Sequence, residues 1–242
     1  MRIKIKLELN NNKLPLNYRK LILSLIKELL KNSEIYKDIF LNSNFKPYSF
    51  SVYLPNPKLQ NDLFYLDTKN ISIFFSTNDY NLIIELYNNL LSFKHKELIY
   101  KDFKYKLQNI NLLKEKKINS TEIIIKTLSP ILIRDHNKEN NKDIYFTFKD
   151  NSIDEVNNIL NRNLKDFFNN YNVNSKDIIL FPIKSKKQII ITNDHGDNKK
   201  NYVFGNQGIF KLSGEVSQLQ FLYNVGLGSK RSYGFGLFEI IA

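Results

Sequence analysis

Apolar and polar residues alternate from the first positions of the chain. Ile3, Ile5, Leu7 and Leu9 fall on one side of MRIKIKLELN, the period-two pattern of a half-buried strand. After an Asn-rich turn and Pro15 the period changes. Leu21, Ile22, Leu25, Ile26, Leu29 and Leu30 share one face at helical spacing, which predicts a helix from about Asn17 to Lys31. Extended segments are expected at Tyr48–Leu54 and Ile71–Ser76, then a helix from Asp79 to Leu91 capped by Asn78 or Asp79, then a strand at Glu97–Leu107. The order β-α-β-β-α-β is the ferredoxin-like arrangement.

The pattern restarts after the charged stretch Lys114-Glu-Lys-Lys117, the best candidate for a linker. A strand is expected at Thr121–Leu128 and a hairpin within Ile131–Phe148. A long helix follows at Ser152–Asn170, with Ser152 as cap and Ile153, Val156, Ile159, Leu160, Leu164 and Phe167 as its apolar face. Strands at Ile178–Ile183, Gln188–Thr192 and Asn201–Leu212, a helix from Glu215 to Asn224 and a strand at Phe235–Ile241 complete a second pass through the same order. The expected fold class is α+β: two tandem ferredoxin-like (RRM-like) domains with antiparallel sheets, 1–118 and 119–242, the second carrying a glycine-rich loop at 226–236.

Composition adds a partner class. Lys+Arg 36 against Asp+Glu 24 leaves +12 in 242 residues, a surplus that favours a polyanion. The first 118 residues carry +9 of it and the rest +3. Only five of the cations are arginine, Arg2, Arg19, Arg134, Arg162 and Arg231, and a lysine-rich, Ala-poor chain is also what AT-rich coding yields. With no Cys there is no disulfide, thiolate metal site or Cys nucleophile, which suits a reducing cytoplasm. No uninterrupted apolar run approaches the roughly 20 residues that cross a bilayer, so no membrane is expected.

Four of the eight glycines lie within Gly226-Leu-Gly-Ser-Lys-Arg-Ser-Tyr-Gly-Phe-Gly236. Gly226, Gly228 and Gly234 permit positive φ and close approach of a backbone to a ligand. Exposed amides, with Ser229, Lys230, Arg231 and Ser232, are positioned to cradle phosphates. The alternative is an ordinary flexible connection between a helix and a strand. Neither familiar phosphate motif applies. A Rossmann fingerprint opens a helix whereas this loop opens a strand, and no GxxxxGK[ST] is present.

Asn224-Val-Gly-Leu-Gly-Ser-Lys-Arg-Ser-Tyr-Gly-Phe-Gly-Leu-Phe238 resembles the C-terminal glycine-rich signature of the CRISPR-associated RAMP proteins. Leu14-Pro-Leu-Asn-Tyr18, Phe45-Lys-Pro-Tyr-Ser-Phe-Ser51 and Thr127-Leu-Ser-Pro-Ile131 extend the likeness along the chain. Their order is similar to that of the repeat-processing endoribonuclease in this superfamily, the sixth Cas family. The resemblance implies a tandem ferredoxin-like protein that binds the CRISPR repeat of a precursor crRNA. It implies cleavage without metal or other cofactor: the 2′-hydroxyl attacks the adjacent phosphate, leaving a 2′,3′-cyclic phosphate and a 5′-hydroxyl. A homodimer and a place in a CRISPR effector complex are compatible with it. The alternative is a subunit of such a complex that holds repeat RNA without cutting it.

The resemblance also assigns roles. Many members place a Tyr in the first helix, a His shortly after it and a Lys before the next strand. Lys46 matches the Lys, Lys27 occupies the Tyr position, and no His precedes His95. Lys27, Lys46 and Arg231 are therefore the candidate cations for the phosphorane, with Tyr36 as a candidate proton relay. Lys27 also belongs to a stripe of Lys20, Ser24 and Lys31, opposite the apolar face, which reads equally as the solvated side of a helix. RNA contacts are expected from Arg19, Lys20, Lys31, Arg134, Lys184, Lys186, Lys187 and Tyr233, besides the loop residues Gly226, Gly228, Ser229, Lys230, Ser232 and Gly234. His95, His136 and His195 are expected to be non-catalytic, and no metal site is expected.

Overall fold

The computed structural model describes residues 1–42, 45–94, 97–100, 103–137, 142–193 and 200–242. The first half contains β1 (Arg2–Leu9), β2 (Lys13–Pro15), α1 (Tyr18–Leu30), β3 (Tyr48–Tyr53), β4 (Lys58–Gln60), β5 (Leu63–Tyr65), β6 (Asn70–Thr77), α2 (Tyr80–Ser92), β7 (Glu97–Tyr100) and β8 (Phe103–Leu113). The main sheet has the order β3-β6-β1-β8-β7, and its pairs are antiparallel. With β7 set aside, β1, β3, β6 and β8 are the four strands of a ferredoxin-like unit in its expected spatial order. Ile3, Ile5, Leu7 and Leu9 point inward, as the alternation requires, and share a core with Ile22, Leu25 and Ile26 of α1 and with Leu82 and Leu86 of α2.

The second half contains β9 (Glu122–Thr127), β10 (Ile133–Asn137), β11 (Lys142–Phe146), α3 (Ile153–Asn170), β12 (Ile179–Asn193), β13 (Lys200–Ser213), α4 (Val216–Val225) and β14 (Phe238–Ile240). Its sheet order β12-β13-β9-β14 repeats that of the first half, so the tandem ferredoxin-like architecture is present. The expected hairpin is β10–β11, a separate two-stranded ladder. Ser152 caps α3 in a reciprocal capping box with Glu155, and Val156, Leu160, Leu164 and Phe167 enter a core of their own.

Four features depart from the sequence expectations. The strand expected at Glu97–Leu107 is two antiparallel strands, β7 and β8. The segments expected as two strands at 178–183 and 188–192 form one strand, β12, with a register shift between Pro182 and Lys184. Its partner β13 pairs along its whole length, and that ladder overrides the local break suggested by the lysines. A small sheet, β2-β5-β4, was not anticipated, because strands of three residues show too little alternation. The last strand is only Phe238–Ile240, since the residues before it stay in the glycine-rich loop.

The halves meet across a polar seam. Arg2 of β1 reaches α4 and β14, where it bonds Phe238 O at 2.7 Å, Glu239 at 3.1 Å and Tyr223 O. Ser76 Oγ of β6 donates to Asn224 O at 2.7 Å. Ser49 of β3 lies so close to Gly226 that a Cβ there would sit 2.7 Å from its hydroxyl.

Candidate nucleic-acid interface

The polar stripe of α1 does not face open solvent. Lys20, Leu23, Ser24 and Lys27 line one wall of a groove of about 500 Å³. The opposite wall is built from Ile190, Ile191 and Val203 of the β12–β13 pair, and Lys230, Tyr233 and Phe235 of the glycine-rich loop close its end. Leu23 is buried although it lies on the polar side of the helix, which is the local sign that this side is covered. Lys31 stands apart, exposed and ion-paired with Glu28.

Lys27 and Lys46 come together. The Lys46 ammonium is lowered from its ordinary pKa by burial and by the neighbouring Lys27 charge. Lys46 Nζ donates to Asn42 O at 2.6 Å, and Lys27 Nζ lies 5.6 Å from the Phe40 ring centre. The backbone beside Lys46 is held from the other half: Tyr171 donates to Phe45 O at 2.6 Å, and Phe45 packs edge-on against Phe167 at 5.5 Å. Pro47, just before β3, biases Lys46 toward extended geometry. Tyr36 lies tilted against Phe40, with ring centres 5.2 Å apart, and packs against the core.

Arg231 is placed differently from the expectation that it joins the lysines as a phosphate cation. Its guanidinium stacks 3.6 Å from the Phe167 ring centre, and Nη1 donates to Gly228 O at 2.5 Å. Burial lowers its pKa, with Tyr171 working the other way. These contacts fasten the loop to α3.

Part of the loop's backbone is also committed. Amides of Gly226, Leu227, Ser229, Tyr233, Gly234 and Gly236 donate to the carbonyls of Leu222, Gly236, Leu132, Lys230, Arg231 and Pro130. Those six amides are not open to a phosphate. Packing also requires glycine here. Gly236 has φ +71°, and a Cβ there would lie 1.9 Å from Leu227 O. Gly236→Ala is expected to cost at least about 1–3 kcal/mol, from the positive φ alone. An unchanged urea midpoint would contradict this.

Side chains carry the charge that the loop presents. Lys230 lines the groove while its ammonium bonds Asp143 at 3.0 Å and Tyr145 at 2.8 Å. Arg134 at 2.8 Å and His136 at 3.0 Å share the same carboxylate. Burial works to raise the Asp143 pKa, but bonds to His136, Lys230 and Arg134 outweigh it and hold the group well below the usual carboxylate range. Asp143 was not anticipated: its partners are remote in sequence or come from a hairpin whose register was unknown. Ser232 hydrogen-bonds the Tyr48 phenol, whose pKa burial pushes up, so it too is a structural contact.

Arg19 lies between the Tyr18 and Phe235 rings, 4.7 and 4.8 Å from their centres, and bonds Gly234 O at 3.4 Å. It joins the groove to a second hollow of about 360 Å³ that continues past Gln188 and Gln207. Gln207 also borders a third, about 420 Å³, where Lys184 and Lys186 are joined by Lys126, a residue that sequence reasoning missed. Lys187 turns away, paired with Asp150 at 2.9 Å and packed over Phe204 at 4.2 Å. His95 and His195 lie outside the described residues.

Residues 113–240 match the family model described as "CRISPR associated protein Cas6, C-terminal". Curated protein sequences gave no match. The fold is similar to a structure titled "Characterization of a Cas6-related gene from Pyrococcus furiosus", with TM-score 0.82, 24% identity and coverage of 100% of this chain and 98% of that one. A structure titled "An RAMP protein binding different RNA substrates" gives TM-score 0.81 and 23% identity over the whole of both chains. A Cas6 product complex gives TM-score 0.65 and 15% identity, again over the whole of both. The family match spans more than half the chain and falls on the glycine-rich signature, so this protein belongs to the Cas6 family of CRISPR-associated proteins.

Proposed function

We propose that the protein is a metal-independent endoribonuclease that binds CRISPR repeat RNA in the groove between α1 and the β12–β13 pair and cleaves precursor crRNA. The observation that carries this is the convergence of Lys27 and Lys46 beside a groove that leads through Arg19 toward Lys126, Lys184 and Lys186. A chain of cations along a half-apolar channel suits a strand whose phosphates need charge and whose bases need apolar cover.

Cleavage forms a bond from the 2′-oxygen to phosphorus as the bond to the 5′-oxygen breaks. The 2′-hydroxyl loses its proton and the leaving oxygen gains one. Lys46, half-buried and with its pKa lowered, is the residue best suited to stabilise the phosphorane and protonate the leaving oxygen. Lys27 adds charge to the same phosphate. Units 1–118 and 119–242 act together in this scheme, because Tyr171, just past α3, bonds the Phe45 carbonyl next to Lys46.

The test is repeat RNA in excess chelator, beside the same RNA carrying a 2′-deoxy sugar at the cut. Chelator-resistant cutting that the deoxy sugar abolishes is expected. Tight binding without cutting supports the second reading, a non-cutting subunit, which the absence of any histidine before His95 favours.

A further inference from the structure

Two separate segments meet at the carboxylate of Asp143. It stands on β11, opposite His136 in the β10–β11 ladder, with Tyr145 opposite Arg134. Oδ1 faces Arg134 at 2.8 Å and His136 at 3.0 Å. Oδ2 accepts from the Tyr145 hydroxyl at 3.2 Å and from Lys230 of the glycine-rich loop at 3.0 Å. The post that carries this carboxylate is itself anchored. Asn163 of α3 bonds Arg134 O at 2.7 Å, Arg162 of α3 pairs with Asp135 at 2.6 Å, and the Ser229 amide ties the loop to Leu132 O at 2.7 Å.

The lysine it holds is unusual in its backbone. Lys230 has φ 54° and ψ 31°, the left-handed conformation that glycine adopts readily and lysine rarely. A lysine seated there points to a use for its side chain. An ammonium has three N–H donors. Asp143 and Tyr145 take two of them, and among the described residues no third acceptor is bonded to it. The side chain is 31% exposed and lines the end of the groove that Lys20 and Lys27 also line. A loosely solvated lysine must be ordered when it meets a phosphate, whereas one held at two points is ordered beforehand.

We propose that Asp143 is a positioning residue that holds Lys230 at the end of the groove as a fixed cation, aimed at one phosphate of the bound RNA. The proposal rests on the RNA-binding reading above and adds which side chain aims the loop's charge. An aspartate near a polyanion otherwise repels it. The rival role is therefore a plain counter-charge that masks Lys230 and weakens binding. The two roles predict opposite signs when the charge of Asp143 is removed.

The experiment is equilibrium binding of the full protein to its repeat RNA, 2′-deoxy at the cut, at fixed pH. Asp143→Asn is measured in the wild type and again in Lys230→Ala. Lys230→Ala alone is expected to weaken binding and to lower the slope of log affinity against log salt by about 0.7–0.9, one phosphate contact. With Lys230 present, Asp143→Asn is expected to weaken binding about two- to tenfold, the cost of ordering a freed lysine, although it makes the site more positive. With Lys230 absent, the same substitution is expected to tighten binding, because only the charge effect remains. Any other pattern overturns the proposal: tightening in both backgrounds marks a counter-charge, and weakening in both marks a part in the fold alone. Lys230→Ala that binds as wild type overturns it as well. Should Asp143→Asn misfold, Tyr145→Phe takes its place, since it removes one Lys230 bond without changing the charge. It is expected to weaken binding when Lys230 is present and to leave Lys230→Ala unaffected, and an equal effect in both overturns the proposal. Failure of the wild type to bind repeat RNA overturns the functional reading, and this proposal with it.

Discussion

Lys46→Ala is expected to lower the single-turnover cutting rate of saturating repeat RNA by about 100- to 1,000-fold, the usual effect of removing one preorganised donor from a developing anion. The geometry sets this expectation. Lys46 is fixed at three levels: Pro47 sets its backbone, Tyr171 and Phe167 hold Phe45 beside it, and Asn42 O accepts from its ammonium. A cation held so firmly loses little entropy when the phosphorane forms. The pH dependence separates its chemistry from simple attraction. Burial and Lys27 lower the Lys46 pKa, so it loses its charge at lower pH than an ordinary lysine, near 10.4. In the proposed mechanism the protonated form acts, so the rate should fall as pH rises through that lowered value. Lys27→Ala removes one of the two causes, so its remaining activity should decline at higher pH than the wild type's. Lys46→Ala cutting within twofold of wild type would end this assignment, as would an alkaline limb that Lys27→Ala leaves in place.

How much of this was legible beforehand depended on the distance over which each feature is encoded. α3 and its Ser152 cap are local, written within one helix, and the structure reproduces them. The ferredoxin-like order was legible because each unit's strands and helices have their own periodicity. β12 was not, since its continuity comes from β13 rather than from its own residues. Among the candidate site residues, Lys27 and Lys46 were named from a resemblance, and the structure brings them near one another. The glycine-rich loop shows the limit of the approach. Its glycines signalled a special backbone, but whether the amides face a ligand or the protein depends on Pro130, Leu132 and Leu222, which are distant in sequence or belong to the preceding helix. Arg231 has the same explanation: Phe167, far back along the chain on α3, captures it.

Arg2→Met is expected to destabilise the fold by about 3–5 kcal/mol, the cost of breaking a buried, hydrogen-bonded charge group by removing one partner. Sequence alone places Arg2 on a strand beside exposed lysines, yet it is only 2% exposed. Its Nε donates to Ser76 Oγ at 3.1 Å, Nη1 serves Phe238 O and Glu239, and Nη2 serves Tyr223 O, while the guanidinium lies 3.6 Å from the Tyr223 ring centre. Methionine keeps an unbranched stem only as far as Nε, so it leaves two carbonyls and a carboxylate at the seam without their donor. Lys at this position supplies charge without the planar fork, so Arg2→Lys should recover less than half of the loss. Because the group is buried, raising salt should change the deficit little, unlike that of an exposed pair. Since Arg2 joins β1 and β6 to α4 and β14, its loss should also loosen the alignment of Lys46 with the groove, which is held across the same two halves. Urea unfolding followed with cutting measured on the same samples reads both effects. A midpoint within about 0.5 kcal/mol of wild type, the range of ordinary surface substitutions, would show that the seam does not depend on this arginine.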